Sequence, residues 1–422
     1  MKYEKKEIKE GINLHTIKTD KFKTNLVAVF LTTKLNRKNV TKNALISMIL
    51  RRGSKNMPTQ EEISKTMEEM YGASFDCGLD KTGDNQVLKF YIESINDNFL
   101  PKQGENILEK SIKSILEIIF DPYIENERFK NEYKEQEKNN IKQRIEGKID
   151  NKARYAMDRC IEEMYKDKSF GLYKFGYIED LETINEKNLY EYYKELINSC
   201  KIDIFVSGDI NEKLENMVKQ DENIIRLKER KADYIVPKLE LKEQRQEQIV
   251  TESMDVTQGK LLLGLDVNID DEKLKYDTLI YNSILGGSAN SKMFQNVREK
   301  AHLAYVASSN YLRYKSNIFV NCGIEIGNYE KALELIKKQI EDMKKGDFSE
   351  KDIEDAKTGI IANVKTIPDE QDTELTYYFG QELSKNNTTI EEYEEKINKV
   401  SKEDIINIAN KVSINTIYFL RN

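Results

Sequence analysis

Tryptophan is absent from the 422 residues, histidine occurs twice, cysteine four times and proline five times. The histidine count excludes most. A zinc centre takes three or four His, Cys or carboxylate ligands, or three plus a water, at fixed spacing. His15 and His302 stand alone, and Cys77, Cys160, Cys200 and Cys322 form no CxxC pair. No metal or other cofactor is therefore expected. A Ser-His-Asp hydrolase would need one of the two histidines, and no G-x-S-x-G turn precedes either. Neither a phosphate-binding G-x-x-x-x-G-K-[ST] loop nor a GxGxxG turn is present. The scattered cysteines read as reduced, mostly buried thiols, which places the chain in the cytoplasm. No apolar run approaches a membrane span of about 18 residues, and the charged N-terminus does not read as a signal peptide.

What is present is charge, in near balance. Lys and Arg number 67 against 74 Asp and Glu, a net charge of −7, so no nucleic-acid partner is expected. At about 100–200 residues per domain the length predicts two or three domains.

Residues 12–17 and 25–33 read as strands separated by a polar turn. Residues 43–50 are rich in Ala, Leu, Ile and Met and predict a buried helix, with Gly53 as its left-handed stop. Thr59 and Glu62 form a capping box that opens a second helix. Leu88, Phe90 and Ile92 alternate with Lys89, Tyr91 and Glu93, which predicts a strand with one wet face. Ile107, Leu108, Ile112, Ile115, Leu116 and Ile119 lie on one helical stripe, ended by Asp121-Pro122. A long charged helix is expected from about 125 to 149, then a helix over 188–197 and a strand over 202–207.

After a charged stretch the order repeats. Strand, helix ending at Gly286-Gly287, two strands, apolar helix, charged helix, helix and strand follow again. From Asn25 to Gly53 is 28 positions and from Lys260 to Gly287 is 27. The pattern predicts an α+β protein of two homologous halves, 1–230 and 248–422, joined by a linker over 231–247. Each half is a mostly antiparallel sheet with helices packed on one face.

Two segments carry a resemblance. Ser291-Lys-Met-Phe-Gln-Asn-Val-Arg-Glu-Lys-Ala-His-Leu-Ala-Tyr305 resembles the S-x-L-F-x-x-[IVL]-R-[ED]-x-x-G-L-A-Y motif of the M16 metallopeptidases (pitrilysin, insulinase, mitochondrial processing peptidase). His302 stands where that motif has Gly. Asn43-Ala-Leu-Ile-Ser-Met-Ile-Leu-Arg-Arg-Gly-Ser54 resembles the family's H-x-x-E-H-m-l-f-k-G-t. Aligned on Gly53, the two histidines fall on Ala44 and Met48 and the catalytic glutamate on Ser47. The distal glutamate ligand falls near Asn139 or Asn140.

The resemblance implies a duplicated metallohydrolase-like fold whose metal site is degenerate at Ala44, Ser47, Met48 and Asn139. Ala44 offers no donor, Met48 only a thioether, and Ser47 cannot take a proton from a metal-bound water. The same segment also reads as plain core helix. The resemblance further implies that Arg298 and Tyr305 bind substrate and donate to an oxyanion, the alternative being a helix-capping Arg and a core Tyr. The implied partners are an active, HxxEH-bearing sister subunit in a heterodimer and an extended peptide. The rival implication is a non-catalytic scaffold or peptide-binding protein, associated with lysine modification of elongation factor P.

Overall fold

The computed structural model of the chain describes residues 2–100, 104–239, 241–243 and 245–422. Their strands build two main sheets. The first contains β1 (Lys2–Lys9), β2 (Ile12–Lys18), β3 (Thr24–Lys34), β4 (Ser74–Thr82), β5 (Asn85–Ile95) and β6 (Lys201–Gly208), in the order β1-β2-β6-β3-β5-β4. The second contains β7 (Gln248–Ser253), β8 (Gly259–Val267), β9 (Ala304–Leu312), β10 (Asn317–Ile324) and β11 (Val412–Arg421), in the order β9-β10-β8-β11-β7.

Read from its other edge, the second sheet repeats five strands of the first. β7, β11, β8, β10 and β9 answer β2, β6, β3, β5 and β4. In each sheet one pair alone is parallel, β2/β6 and β7/β11, and these pairs correspond. The chain is therefore an α+β duplication. β1, rich in Lys and Glu, is an added edge strand without a counterpart. No apolar alternation announces it, because charged residues suit an edge.

Helices cover one face of each sheet. In the first half these include α1 (Val40–Ile49), α2 (Gln60–Glu69), α3 (Ile107–Phe120), α4 (Asn131–Glu146) and the later helix Glu186–Ser199. Val27, Val29 and Leu31 of β3 join Leu45, Ile46, Ile112 and Ile115 in one core. The capping box at Thr59 and Glu62 is present, and others cap later helices at Asn185, Ser349, Thr389 and Ser401. The charged helix expected from about 125 is shorter. Ile124–Glu125 and Arg128–Phe129 form a small hairpin, and α4 starts at Asn131. Asn126 and Glu127 take φ of 49° and 59°, the left-handed region that closes such a turn.

The chain divides into two compact units that are not contiguous in sequence. Unit 1 is Met1–Glu146, Leu172–Ile235 and Gln371–Phe379; unit 2 is Gly147–Gly171, Val236–Glu370 and Gly380–Asn422. Two helical segments are thus exchanged between the halves. α5 (Lys152–Met164) lies on the second sheet, where Cys160 and Met164 pack with Leu262, Phe319 and Tyr418. Residues 371–379 lie on the first. There Phe379 meets Phe30 edge-on at 4.5 Å, and Gln371 Nε2 donates to Ser207 O at 3.2 Å. Each sheet therefore carries helices on one face and a single exchanged segment on the other. All four cysteines are buried and unbridged. No helix among the described residues is long and apolar enough to cross a membrane.

Candidate functional site

α1 is apolar around most of its circumference, so it is buried rather than amphipathic. It packs against α4, β4 and β5. Its one buried amide, Asn43, is bonded at both ends: Nδ2 donates to Gln86 Oε1 and Oδ1 accepts from the Tyr192 hydroxyl, both at 2.9 Å. Ala44 is completely buried in the core. The buried Ser47 hydroxyl donates to Ala44 O at 2.8 Å, within its own helix. Met48 alone of the three reaches a cavity, of about 490 Å³, and forms its floor.

The rest of that cavity is charged. Arg51 and Arg52 come from the 3-10 turn Leu50–Arg52 that ends α1, and Glu137, Asn140 and Arg144 come from α4. Glu137 is 2% exposed. One of its oxygens is ion-paired with Arg52 Nε, and the other accepts from Asn140 Nδ2 at 3.0 Å. Arg52 Nη1 donates onward to Gln60 Oε1 at 3.2 Å.

The buried positions of α4 are Lys134, Glu137 and Ile141, three and four residues apart on one face. Asn139 lies off that face and is exposed; Asn140 lines the cavity. The expected distal position near Asn139 or Asn140 misses the buried Glu137. The phase of the buried stripe, read back from Ile141, could have found it. Beside the cavity runs β4, the sheet's edge strand. Burial pushes the Cys77 thiol on β4 up to about 11, with the Arg51 and Arg144 guanidiniums acting in the opposite direction.

These residues do not fit a zinc ion. The donor set at the motif positions is a methyl group, a hydroxyl bonded to its own helix and a thioether, and the one buried carboxylate is bound by a guanidinium. Among the described residues no three His, Cys, Asp or Glu side chains converge as a metal-holding group. The histidines lie elsewhere. His15 is buried, with Nε2 3.0 Å from Asp203 Oδ1 and Nδ1 2.9 Å from the Tyr3 hydroxyl. Asp203 is also ion-paired with Lys201, and its carboxyl is held below the usual range by that lysine and by His15, against the effect of burial.

The second motif is differently placed. Residues Met293–Lys300 form a π-type helical segment, and Arg298 lies over the Phe294 ring at 4.5 Å with its side chain 42% exposed. Its Nε is 3.4 Å from Glu299 Oε1. His302 takes φ of 53°, the left-handed region that explains a Gly in the family motif; His tolerates it at modest cost. The register of β9 on β10 then slips between Ala304 and Val306, which leaves Tyr305 as the extra residue of a β-bulge. Tyr305 is 64% exposed, so it is not a core tyrosine.

Fold and site together define a duplicated α+β protein of the metallopeptidase type whose metal positions hold no ligands. Residues 183–360 match the family described as "Peptidase M16 inactive domain". The chain is 34% identical over 412 residues to the "Probable inactive metalloprotease YmfF" of Bacillus subtilis (strain 168), covering 97% of this chain and 96% of that one. It is 23% identical to the "Uncharacterized zinc protease YmxG" of the same bacterium, over 72% and 74% of the two chains. Among solved structures, a conserved protein from Enterococcus faecalis V583 superposes with a TM-score of 0.90 at 29% identity, over 100% and 99% of the chains. A peptidase M16 inactive domain from Pseudomonas fluorescens has the same fold, with a TM-score of 0.79 at 16% identity over 100% and 98%. The chain belongs to the M16 peptidase family and resembles its inactive members.

Proposed function

We propose that this chain is a catalytically silent subunit that pairs in the cytoplasm with a zinc-bearing M16 sister chain and supplies Arg298 and Tyr305 to a peptide-cleaving chamber. The observation that carries this reading is the contrast between the two motifs. At the metal positions Ala44 and Ser47 are buried in the core and Met48 floors a cavity with no ligand set. At the second motif Tyr305 is 64% exposed, set apart by a bulge, with Arg298 exposed nearby in sequence.

Core packing does not account for an exposed tyrosine at a bulge, whereas an oxyanion donor has to be open and aimed. The guanidinium of Arg298 suits peptide carbonyls or a carboxylate. Bacillus subtilis (strain 168) holds both a relative named as inactive and a relative named as a zinc protease, which supports a paired arrangement. The substrate class is an extended peptide, because the edge strands offer unpaired backbone groups to which a peptide strand can add.

The test is reconstitution with the zinc-bearing M16 chain of the same cell. Gel filtration should give a one-to-one complex, and a fluorogenic peptide should be cleaved by the pair and not by this chain. Cleavage that is unchanged when this chain is omitted would leave it a scaffold.

A further inference from the structure

The cavity floored by Met48 carries more positive charge than its own residues neutralise. Three guanidiniums line it, from Arg51, Arg52 and Arg144, against the single carboxylate of Glu137. Arg52 and Glu137 are committed to each other, and the second oxygen of Glu137 is taken by Asn140. Among the described residues no carboxylate pairs with Arg51 or Arg144. Arg144 has only the Phe175 ring, 5.5 Å from its guanidinium carbon. Two unpaired guanidiniums therefore share one concave space with an apolar floor, and both lie near enough to Cys77 on β4 for their charge to act on its thiol.

We propose that this cavity is a carboxylate receptor, in which Arg51 and Arg144 grip a carboxylate of an extended peptide lying along the outer edge of β4. The proposal rests on the peptide-binding part of the reading above. Met48, at the position of the second motif histidine, lines the same cavity as these guanidinium forks. The planar fork matches a carboxylate in a way that a point charge does not. β4 ends the sheet, with β5 its one strand partner among the described residues; Cys77 N already donates to Asp76 Oδ1 and Leu79 O accepts from Lys174 Nζ, so a peptide strand adds there by displacing these two side-chain bonds.

Binding to the full chain tests this. One octapeptide of Ala, Ser and Val is made as the free C-terminal acid, as the C-terminal amide, and as the amide with a central Asp. N-acetylglycine and inorganic phosphate serve as small probes. The acid or the Asp-bearing amide should bind at least about 10-fold more tightly than the plain amide, as for a charge-assisted hydrogen bond. Which of the two gains identifies a terminal or a side-chain carboxylate. Arg51→Gln and Arg144→Gln should each reduce the difference, and the double variant should erase it.

Added salt should shrink the difference in the unmodified chain, a check that does not depend on any variant folding. Equal binding of all three peptides would overturn the carboxylate receptor and leave peptide binding standing. N-acetylglycine binding that the double variant loses, with no peptide bound, would keep the receptor and overturn peptide binding. Phosphate displacing N-acetylglycine would overturn the assignment to carboxylate.

Discussion

Glu137 and Arg52, 85 positions apart, form an ion pair at the wall of the cavity that Met48 and Asn140 also line. A buried carboxylate held by a guanidinium is stable only as a pair. Arg52→Ala should therefore destabilise the chain by about 2–4 kcal/mol, because it strands the charge of Glu137. Replacing both residues by Met should be close to neutral. Urea denaturation of the two variants checks this; equal losses in both would mean that the pair is not the stabilising element.

Gly53 serves the fold by space and not by handedness. Its φ is 168°, extended backbone open to any residue, so it is not the left-handed stop that its place after a helix suggests. A Cβ there would lie 2.3 Å from Pro58 O, which is backbone and cannot rotate away. Gly53→Ala should cost about 1–3 kcal/mol through overpacking and shift the turn that carries Arg51 and Arg52. Thermal melting measures the loss, and an unchanged melting temperature would contradict the close approach.

Asp277, on the helix Leu274–Asn282 of unit 2, is buried with neither carboxylate oxygen hydrogen-bonded. Burial, then the charge of Asp404, pushes its carboxyl up to about 6; Lys273 acts in the opposite direction and Asp271 adds to the rise. The folded chain then keeps a proton that the unfolded chain releases near pH 3.9. This contribution is fully present below about pH 4 and is lost as pH rises to about 6. Asp277→Asn should flatten that part of the curve and raise stability at neutral pH by about 1–3 kcal/mol. Denaturation midpoints of both proteins between pH 4 and 7 decide it. A constant difference across that range would exclude the titration.

Tyr305→Phe removes a hydroxyl and keeps the ring. If the hydroxyl donates to an oxyanion, turnover by the reconstituted pair should fall about 10²–10³-fold in kcat with KM little changed. Arg298→Ala should also raise KM, since a guanidinium that grips ground-state carbonyls contributes to binding itself. Steady-state kinetics on one peptide separates the two. A kcat for Tyr305→Phe within about twofold of the unmodified pair would leave this chain outside the chemistry.

What the sequence determined by itself is what neighbouring residues decide among themselves. The apolar stripe of α3, the alternation at Leu88, Phe90 and Ile92, the capping boxes at Thr59 and Ser349 and the repeated order of elements are all set within a few positions along the chain. The loss of ligands at Ala44 and Met48 is equally local. Tertiary structure decided what depends on a distant partner. β1 is a polar strand with no apolar alternation, and only the backbone of β2 makes it a strand. The α5 and 371–379 segments settle on sheets assembled from the opposite half, because the apolar faces they cover exist only once those sheets have formed. Glu137 finds Arg52 only when α4 packs on α1, and the left-handed His302 and the bulge at Tyr305 arise from fitting β9 to β10. Each of these rests on long-range closure, whose partners are not adjacent in the chain.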